Sequence, residues 1–276
     1  MEKTKRTERI TAVTRLLTDN PNQLFTLPYF CGLFSAAKST MSEDIAIVEA
    51  ALKKHGLGRV ETLAGAAGGV RFRPMLSRKD AFRQVEDISR ELCDPQRLLA
   101  GGYLYWSDIL SSPDIARRMG YIIAGEYYDA GADFVLTMET KGIPFALMTA
   151  QALGVPLIIA RRSSKVYEGS AVNINYVTGR GSIETMALAR RAVKPGQKAL
   201  IVDDFIRAGG TARGMMSLME EFNVEVIGSA FMLAQENPSE RHISGDTSLM
   251  LFSESGPDRL LVRPAPWLSQ ERDETL

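Results

Sequence analysis

The sequence predicts an α/β protein with a small N-terminal module, residues 1–74, and a larger domain, residues 75–276, built on a mainly parallel sheet. The first module is predicted from three segments of helical periodicity that precede two short alternating segments around a glycine-rich tip. The larger domain is predicted from strands that alternate with helices from Pro113 onward. Pro74 marks the boundary between the two.

The composition is that of a soluble globular protein, and its charge is unevenly distributed. The 276 residues are 45% apolar and 24% charged, and the formal net charge is zero. Residues 1–79 carry 13 Lys and Arg against 7 Asp and Glu, whereas the rest of the chain carries 20 and 26. The positive surplus in the first module predicts an anionic partner for that module.

The cysteine and histidine content points to a cytoplasmic protein without a metal centre. Cys31 and Cys93 are the only cysteines, which predicts no disulfide framework and fits a reducing cytosol. His55 and His242 are too few and too isolated for a zinc cluster. No signal peptide is visible, and no run of about 18 apolar residues is long enough for a membrane span.

Three helices are predicted in the first module. Thr4–Thr18 has apolar residues at helical spacing with arginines beside them, and Leu24–Leu33 is a second, short apolar segment. Lys38–Lys54 is the third helix, and its first turns offer hydrogen-bonding side chains of the kind that a recognition helix presents to phosphates and base edges. These side chains are Lys38, Ser39, Thr40 and Ser42.

Two short strands complete the first module. Apolar and polar residues alternate within Arg59–Leu63 and within Val70–Arg73, and a glycine-rich tip lies between the two segments. This pattern predicts a β-hairpin. Three helices followed by such a hairpin resemble a winged helix-turn-helix; the alternative is a small helical cap whose charges form a solvated face. The charge surplus and the hairpin favour DNA binding. The candidate DNA contacts are Arg6, Arg9, Lys38, Ser39, Thr40, Ser42, Arg71 and Arg73.

The next segments lead into the larger domain. Ser77–Leu92 is amphipathic and predicts a connector or a dimer-contact helix, and Gly101–Trp106 predicts a strand. Tyr105 and Trp106 are core aromatics in one interpretation. In the other, one of them stacks on a ligand ring, and Tyr105 is the candidate for that role.

The chain is organised around the segment from Ala199 to Ala212. Its apolar start predicts a buried strand, and a turn of small residues then opens a helix near Thr211. Backbone N–H groups in such a turn suit a phosphate, and the adjacent Asp203 and Asp204 suit vicinal hydroxyls because carboxylates accept hydrogen bonds. The alternative is an ordinary strand-turn-helix with capping Asp residues.

This segment resembles the phosphoribosyl pyrophosphate (PRPP) signature of the type I phosphoribosyltransferases. The resemblance implies PRPP binding by Asp203, Asp204, Phe205, Arg207, Ala208, Gly209, Gly210 and Thr211. Within the motif, many enzymes of this superfamily have a hydroxyl residue at the position of Ala208 and a small residue at that of Arg207. We therefore expect PRPP binding to be retained more readily than turnover.

Two further segments resemble phosphate-binding loops of the same superfamily. Thr140, Lys141 and Gly142 follow a predicted strand and resemble its pyrophosphate loop. Residues 161–180 resemble the mobile hood that closes over the pyrophosphate, and an anionic ligand would favour Arg162 and Lys165 there. The alternative for the second segment is a solvated charged loop.

A winged helix joined to a type I phosphoribosyltransferase-like domain resembles the bacterial purine operon repressor family. The segments that carry this resemblance are Ser35–Ser39, Gly65–Val70, Gly101–Tyr103, Thr140–Pro144, Glu168–Ser170, Ile174–Val177 and Asp203–Phe205. It implies a homodimer that binds double-stranded operator DNA and controls purine synthesis and transport genes. It also implies PRPP, or another pyrophosphate-bearing nucleotide, as effector, with or without Mg²⁺ and with no required cofactor or catalytic residue.

Two functions from other classes stay open on the sequence. One is an active purine phosphoribosyltransferase with a structural N-terminal cap, and the other is an allosteric scaffold that does not bind DNA. Salt-dependent binding to duplex DNA separates the repressor from both. Pyrophosphate release from PRPP and a purine base identifies the enzyme.

Overall fold

The computed structural model describes residues 4–65, 68–100, 103–164, 169–178, 181–238, 242–254 and 260–270. The chain divides into two units, residues 1–77 with 151–154 and residues 78–150 with 155–276. The first unit has three helices and a hairpin, and the second has a six-stranded, mainly parallel sheet. The predicted fold class is therefore confirmed.

The elements of the first unit lie close to their predicted bounds. They are α1 (Arg6–Asp19), α2 (Leu27–Phe34), α3 (Lys38–Lys54), β1 (Arg59–Leu63) and β2 (Gly69–Arg73). Phe25 pairs with Val70 of β2 through two backbone hydrogen bonds of 2.9 and 2.7 Å, so a third extended segment joins the hairpin. Three helices with a hairpin extended in this way form a winged helix-turn-helix.

One apolar core holds the three helices against one face of the hairpin. Buried side chains recur every three or four residues on α1 and α3, so one face of each helix enters this core. Buried and outward-facing residues alternate along the hairpin, which gives it one apolar face. The buried members are Val13, Leu17, Phe25, Phe30, Met41, Ile45, Val48, Leu52, Val60, Val70 and Phe72.

A buried ion pair joins α1 to α3. Asp44 is fully buried, and Arg9 Nε lies 2.7 Å from its Oδ2. Arg9 Nη1 also donates a hydrogen bond to the carbonyl of Thr4 at 2.7 Å. The sequence predicts Arg9 as a DNA contact, and the structure corrects this assignment. Because the Arg9 guanidinium is buried and neutralises Asp44, it is not available to a phosphate.

Residues after the first unit form both strands and helices. These elements are α4 (Arg78–Leu92), β3 (Leu98–Leu99), β4 (Tyr103–Leu104), α5 (Ser107–Leu110), α6 (Pro113–Tyr127), β5 (Phe134–Met138), α7 (Ile143–Leu153), β6 (Leu157–Ala160), β7 (Ala171–Val177), β8 (Ile183–Ala189), β9 (Lys198–Ile206), α8 (Gly210–Glu221), β10 (Glu225–Gln235), β11 (Thr247–Glu254) and β12 (Leu260–Pro264). Six strands form one sheet in the order β12-β11-β10-β9-β5-β6. The β11–β12 pair is antiparallel and the other pairs are parallel.

The central strands of this sheet are continuous apolar runs. Every residue of β5 is buried, and residues 199–202 of β9 are fully buried. Such runs are typical of parallel strands that are covered on both faces. Because β5, β9 and β10 run in the same direction, their carboxyl ends open at one edge of the sheet, where ligands bind in folds of this kind.

One segment differs from the sequence prediction. Tyr103–Leu104 pairs with Leu98–Leu99 in a short hairpin outside the main sheet, while residues 101 and 102 lie outside the described part of the chain. The apolar face of α4 packs against β11 and β12 of its own chain, so it is used within the unit. The C-terminal part of the described chain supplies β11 and β12. None of the helices in the described ranges has both the length and the apolar character that a bilayer span requires.

Replacing Asp44 by Ala is expected to destabilise the first unit by about 3–5 kcal/mol, because the Arg9 guanidinium would stay buried without its counter-charge. Chemical denaturation of the wild type and the variant measures this loss. Asp19→Ala is the matched control, since Asp19 is an exposed acid of α1 whose pair with Arg15 stabilises by about 0.3–0.5 kcal/mol. Equal stability of Asp44→Ala and the wild type would contradict the role assigned to the buried pair.

Candidate effector site

A cavity of about 890 Å³ opens at the carboxyl ends of the central strands. Met138 of β5, Ile206 of β9 and Leu233 of β10 reach it from three neighbouring strands. The β5–α7 loop, the first turn of α8 and the hairpins β3–β4 and β7–β8 also contribute to its lining. The segments that the sequence predicts as ligand-binding therefore meet in one place.

Two adjacent acids near the end of β9 line this cavity. Asp203 is 8% exposed, and its Oδ1 accepts a hydrogen bond from the backbone N–H of Asp204 at 2.9 Å. Burial raises the pKa of Asp203 well above its ordinary value, and the charge of Asp204 raises it further. Burial also raises the pKa of Asp204, while its interactions with Asp203 and Lys141 act in the opposite direction. An acid pair of this kind is costly to ionise, and hydroxyl donors from a ligand would favour its charged form.

Gly142 allows the loop after β5 to approach the acid pair. A Cβ at this position would lie 1.9 Å from Asp203 Oδ1 and 2.9 Å from Thr137 Oγ1. Any side chain at Gly142 would therefore displace the carboxylate. Gly142 itself is not among the described residues that line the cavity. Its role in the site is to let the backbone of this loop lie close to Asp203.

The turn between β9 and α8 has the geometry of an anion-binding loop. Gly209 adopts a left-handed conformation with φ 89° and precedes α8, a helix of 12 residues that begins at Gly210. Residues 207–212 line the cavity, so the backbone N–H groups of the first helical turn, which lack partners within a helix, lie at its wall. Arg207 Nε donates to Gln235 Oε1 at 2.8 Å, and the carbonyl of Ala208 accepts from the N–H of His242 at 2.7 Å.

The predicted pyrophosphate loop lies at the same cavity. Thr140 and Lys141 are exposed and belong to its lining. The peptide bond between Glu139 and Thr140 is cis. Glu139 Oε1 accepts a hydrogen bond from the N–H of Arg162 at 2.7 Å, which ties this loop to the segment after β6.

The predicted hood, residues 161–180, contains β7, and the hairpin that β7 forms with β8 adds two polar residues to the site. Tyr176 OH donates to Glu184 Oε2 at 3.1 Å, and Arg162 Nη1 lies 3.6 Å from the same oxygen. Burial, and after it the Glu184 charge, raises the pKa of Tyr176, so its hydroxyl remains a donor. Lys165 lies outside the described residues. Tyr176 and Glu184 are not among the site residues predicted from the sequence. The alternation of apolar and polar residues in 171–177 and 183–189 could have indicated the hairpin that carries them.

Part of the cavity lining is aromatic. Tyr103, Trp106, Phe205 and Phe252 contribute to it. Phe205 stacks on Phe252 with ring centroids 5.2 Å apart, and Trp106 is 4% exposed. These rings give the polar site an apolar side.

The structure corrects the choice of stacking aromatic. Tyr105 is exposed and is not among the described residues that line the cavity, whereas Leu104 and Trp106 are. Arg97 holds this segment by bonding the carbonyl of Tyr105 and forming two 2.9 Å contacts with Asp108. The hydrogen bond from Arg97 lowers the pKa of Asp108.

Most of the predicted contacts on the helices of the first unit are accessible. Lys38, Ser39 and Ser42 are exposed on the first turns of α3, and Thr40 is half-buried there. Arg6 of α1 is also exposed, although its Nε lies 3.1 Å from Asp44 Oδ1. These positions remain predictions for DNA contact.

The predicted contacts on the hairpin are held by one acid. Arg71 Nε lies 2.9 Å from Glu61 Oε2, and Arg73 Nη1 lies 3.0 Å from Glu61 Oε1. Arg71 is half-buried, and Arg73 is only 5% exposed. The structure therefore corrects the assignment of Arg73 as a DNA contact, because its guanidinium is used inside the unit.

Two family models match the chain in the order of its two units. Residues 5–74 match the N-terminal domain of the bacterial purine repressor, and residues 105–255 match the phosphoribosyl transferase domain. Among solved structures, adenine phosphoribosyltransferase from Thermoanaerobacter pseudethanolicus aligns with a TM-score of 0.50 at 19% identity. The alignment covers 58% of this chain and 96% of that chain, and it supports the fold of the second unit.

Curated relatives extend over nearly the whole chain. The purine biosynthesis transcriptional repressor PurR of Bacillus subtilis is 39% identical over 91% of this chain and 88% of its own length. The purine biosynthesis transcriptional activator PurR of Lactococcus lactis subsp. lactis is 40% identical over 89% of this chain and 91% of its own length. Xanthine phosphoribosyltransferase of Lactococcus lactis subsp. cremoris is 30% identical, over 50% of this chain and 72% of its own length. The chain belongs to the PurR family of bacterial purine biosynthesis transcriptional regulators.

Proposed function

We propose that this protein is a DNA-binding repressor of purine biosynthesis and transport genes whose binding to operator DNA is relieved by PRPP. The observation that carries this proposal is the union of two parts in one chain. Residues 5–74 match a purine repressor module, and the second unit places the acid pair, the glycine turn and the β5–α7 loop around one cavity. The resemblance to the repressor family also leads us to propose a homodimer.

The chemistry of the cavity suits each part of PRPP. Asp203 and Asp204 accept hydrogen bonds from the ribose hydroxyls, and the backbone N–H groups of residues 207–212 take the 5′-phosphate. Lys141 and the backbone of its loop face the pyrophosphate. Mg²⁺ would be held mainly by the phosphate oxygens of the ligand, since the described residues include no cluster of three or more His, Cys, Asp or Glu side chains placed to bind a metal ion.

We propose that the site binds PRPP without transferring its phosphoribosyl group. Ala208 gives the phosphate turn no side-chain hydroxyl, and the relatives that match over about nine-tenths of this chain are named as regulators. A regulator needs only ground-state binding, whereas catalysis needs interactions that strengthen in the transition state. The xanthine phosphoribosyltransferase relative supports the alternative, an active transferase with a structural N-terminal unit.

One titration separates these functions. Duplex DNA from the upstream region of a purine biosynthesis gene is titrated with the protein, with and without PRPP, over a range of salt concentrations. A repressor binds the duplex in a salt-dependent way and loses affinity when PRPP is added. Pyrophosphate release on incubation with PRPP and adenine, guanine, hypoxanthine or xanthine would instead support the transferase.

Replacing both Asp203 and Asp204 by Ala is expected to weaken PRPP binding by on the order of a hundredfold or more. Hydrogen bonds to charged groups stabilise by roughly 1.5–3 kcal/mol each, and two of them would be lost. DNA affinity without PRPP should stay at the wild-type value. The measurement is DNA binding across a PRPP titration.

The double variant Glu220→Ala and Glu221→Ala is the matched control for that titration. It also removes two adjacent acids, but these are exposed at the carboxyl-terminal end of α8. The control should respond to PRPP as the wild type does. A folded Asp203→Ala, Asp204→Ala variant that responds at wild-type PRPP concentrations would refute the effector site.

Replacing Asp203 by Asn is expected to stabilise the unliganded protein near neutral pH. Burial raises the pKa of Asp203 in the folded state, so its contribution to stability is full at acidic pH and is lost as the pH rises through that raised pKa. The Asn variant avoids this loss, and its advantage in Tm should disappear below the ordinary pKa of a carboxyl group. Thermal unfolding from about pH 3.5 to 8 tests this, and a pH-independent difference would count against the assignment.

A further inference from the structure

The outward face of the β1–β2 hairpin concentrates charge. Arg59 pairs with Arg73 across the two strands, and Glu61 pairs with Arg71. Because side chains two residues apart share a face, all four lie on the side opposite Val60 and its apolar partners. Three guanidinium groups thus accompany the carboxylate of Glu61 on this face.

Glu61 is occupied by two of the three arginines. Both Arg71 Nε and Arg71 Nη2 lie 2.9 Å from Glu61 Oε2, and Arg73 Nη1 lies 3.0 Å from Oε1. Arg59 Nε lies 3.7 Å from Oε1, which is beyond hydrogen-bonding distance. Its charge is therefore the least compensated of the three.

Exposure follows the same order. The side chain of Arg59 is 42% exposed, that of Arg71 is 21% exposed and that of Arg73 is 6% exposed. Glu61 is 13% exposed, so little of its negative charge faces solvent. The positive charge of this face is thus presented chiefly by Arg59, a residue that the sequence did not single out.

We infer that Arg59 is the hairpin's contact to the phosphate backbone of duplex DNA. Arg71 and Arg73 are instead held by Glu61 within the hairpin. This inference rests on the proposed DNA-binding function. Arg59 pairs with Arg73 at the open end of the hairpin, away from the glycine-rich tip. A single guanidinium there attracts a phosphate whatever the base sequence, whereas sequence is distinguished through contacts to base edges.

The experiment compares Arg59→Ala with the wild type on two duplexes, one from the upstream region of a purine biosynthesis gene and one of scrambled sequence. Affinity is measured between about 50 and 200 mM salt. Arg59→Ala should lower the affinity for both duplexes by the same factor. It should also reduce the slope of log affinity against log salt by about one, because one phosphate contact is lost.

Two variants control for fold and for general charge. Arg59→Lys keeps the positive charge and should restore most of the slope. Arg15→Ala removes an exposed arginine of the same unit whose charge is compensated by Asp19 at 2.6 Å, and it should leave the slope unchanged. Thermal unfolding of each variant checks that the first unit is intact.

Several outcomes would overturn the inference. Wild-type affinity and slope in folded Arg59→Ala would show that Arg59 does not contact DNA. An equal loss in Arg15→Ala would show that the effect of Arg59 comes only from the net charge of the unit. A loss of affinity confined to the duplex from the upstream region of the purine biosynthesis gene would identify a base contact instead of a phosphate contact. If the wild-type protein does not bind duplex DNA at all, the proposed function fails and this inference fails with it.

Discussion

The burial of the Asp203 carboxyl near the end of a central parallel strand is the constraint on which the second unit depends. The sheet brings β9 between β5 and β10, and the absence of a side chain at Gly142 leaves room for the carboxylate. The same burial raises the pKa of Asp203, which means that the charged form is held at a cost to stability. Groups that cost stability in this way are typical of sites where a ligand supplies the missing partners.

The remaining parts of the cavity come from several separate segments of the second unit. The turn after β9 offers backbone N–H groups, while Ala208 in that turn contributes no hydroxyl. Tyr176, Glu184 and Arg162 bring the β7–β8 hairpin to the same place through direct contacts. For a regulator, the requirement is that the ligand favours one conformation over another.

In the first unit, the partner of each arginine decides what that arginine does. Arg9 and Arg73 are buried and are used to neutralise Asp44 and Glu61, so they stabilise the winged helix itself. Arg59 is more exposed and lies farther from its acid. The positive surplus of the module is a property of its composition, but Arg9 and Arg73 are buried against acids and are not available to an external phosphate. Charge counts therefore indicate an anionic partner, and the fold selects the residues that contact it.

The sequence by itself determined the two-part organisation, the bounds of α3 and β1, the β9–α8 motif and the glycine loop after β5. These features depend on local periodicity and on turn residues, which report the conformation of their own segment of backbone. Only the tertiary structure decided that Arg9 faces Asp44, that Tyr105 lies outside the cavity while Tyr176 lines it, and that the C-terminal strands add β11 and the edge strand β12 to the sheet. Each of these depends on a partner from a distant segment. Local pattern carries no information about which distant side chain will neutralise a charge or which strand will accept an edge.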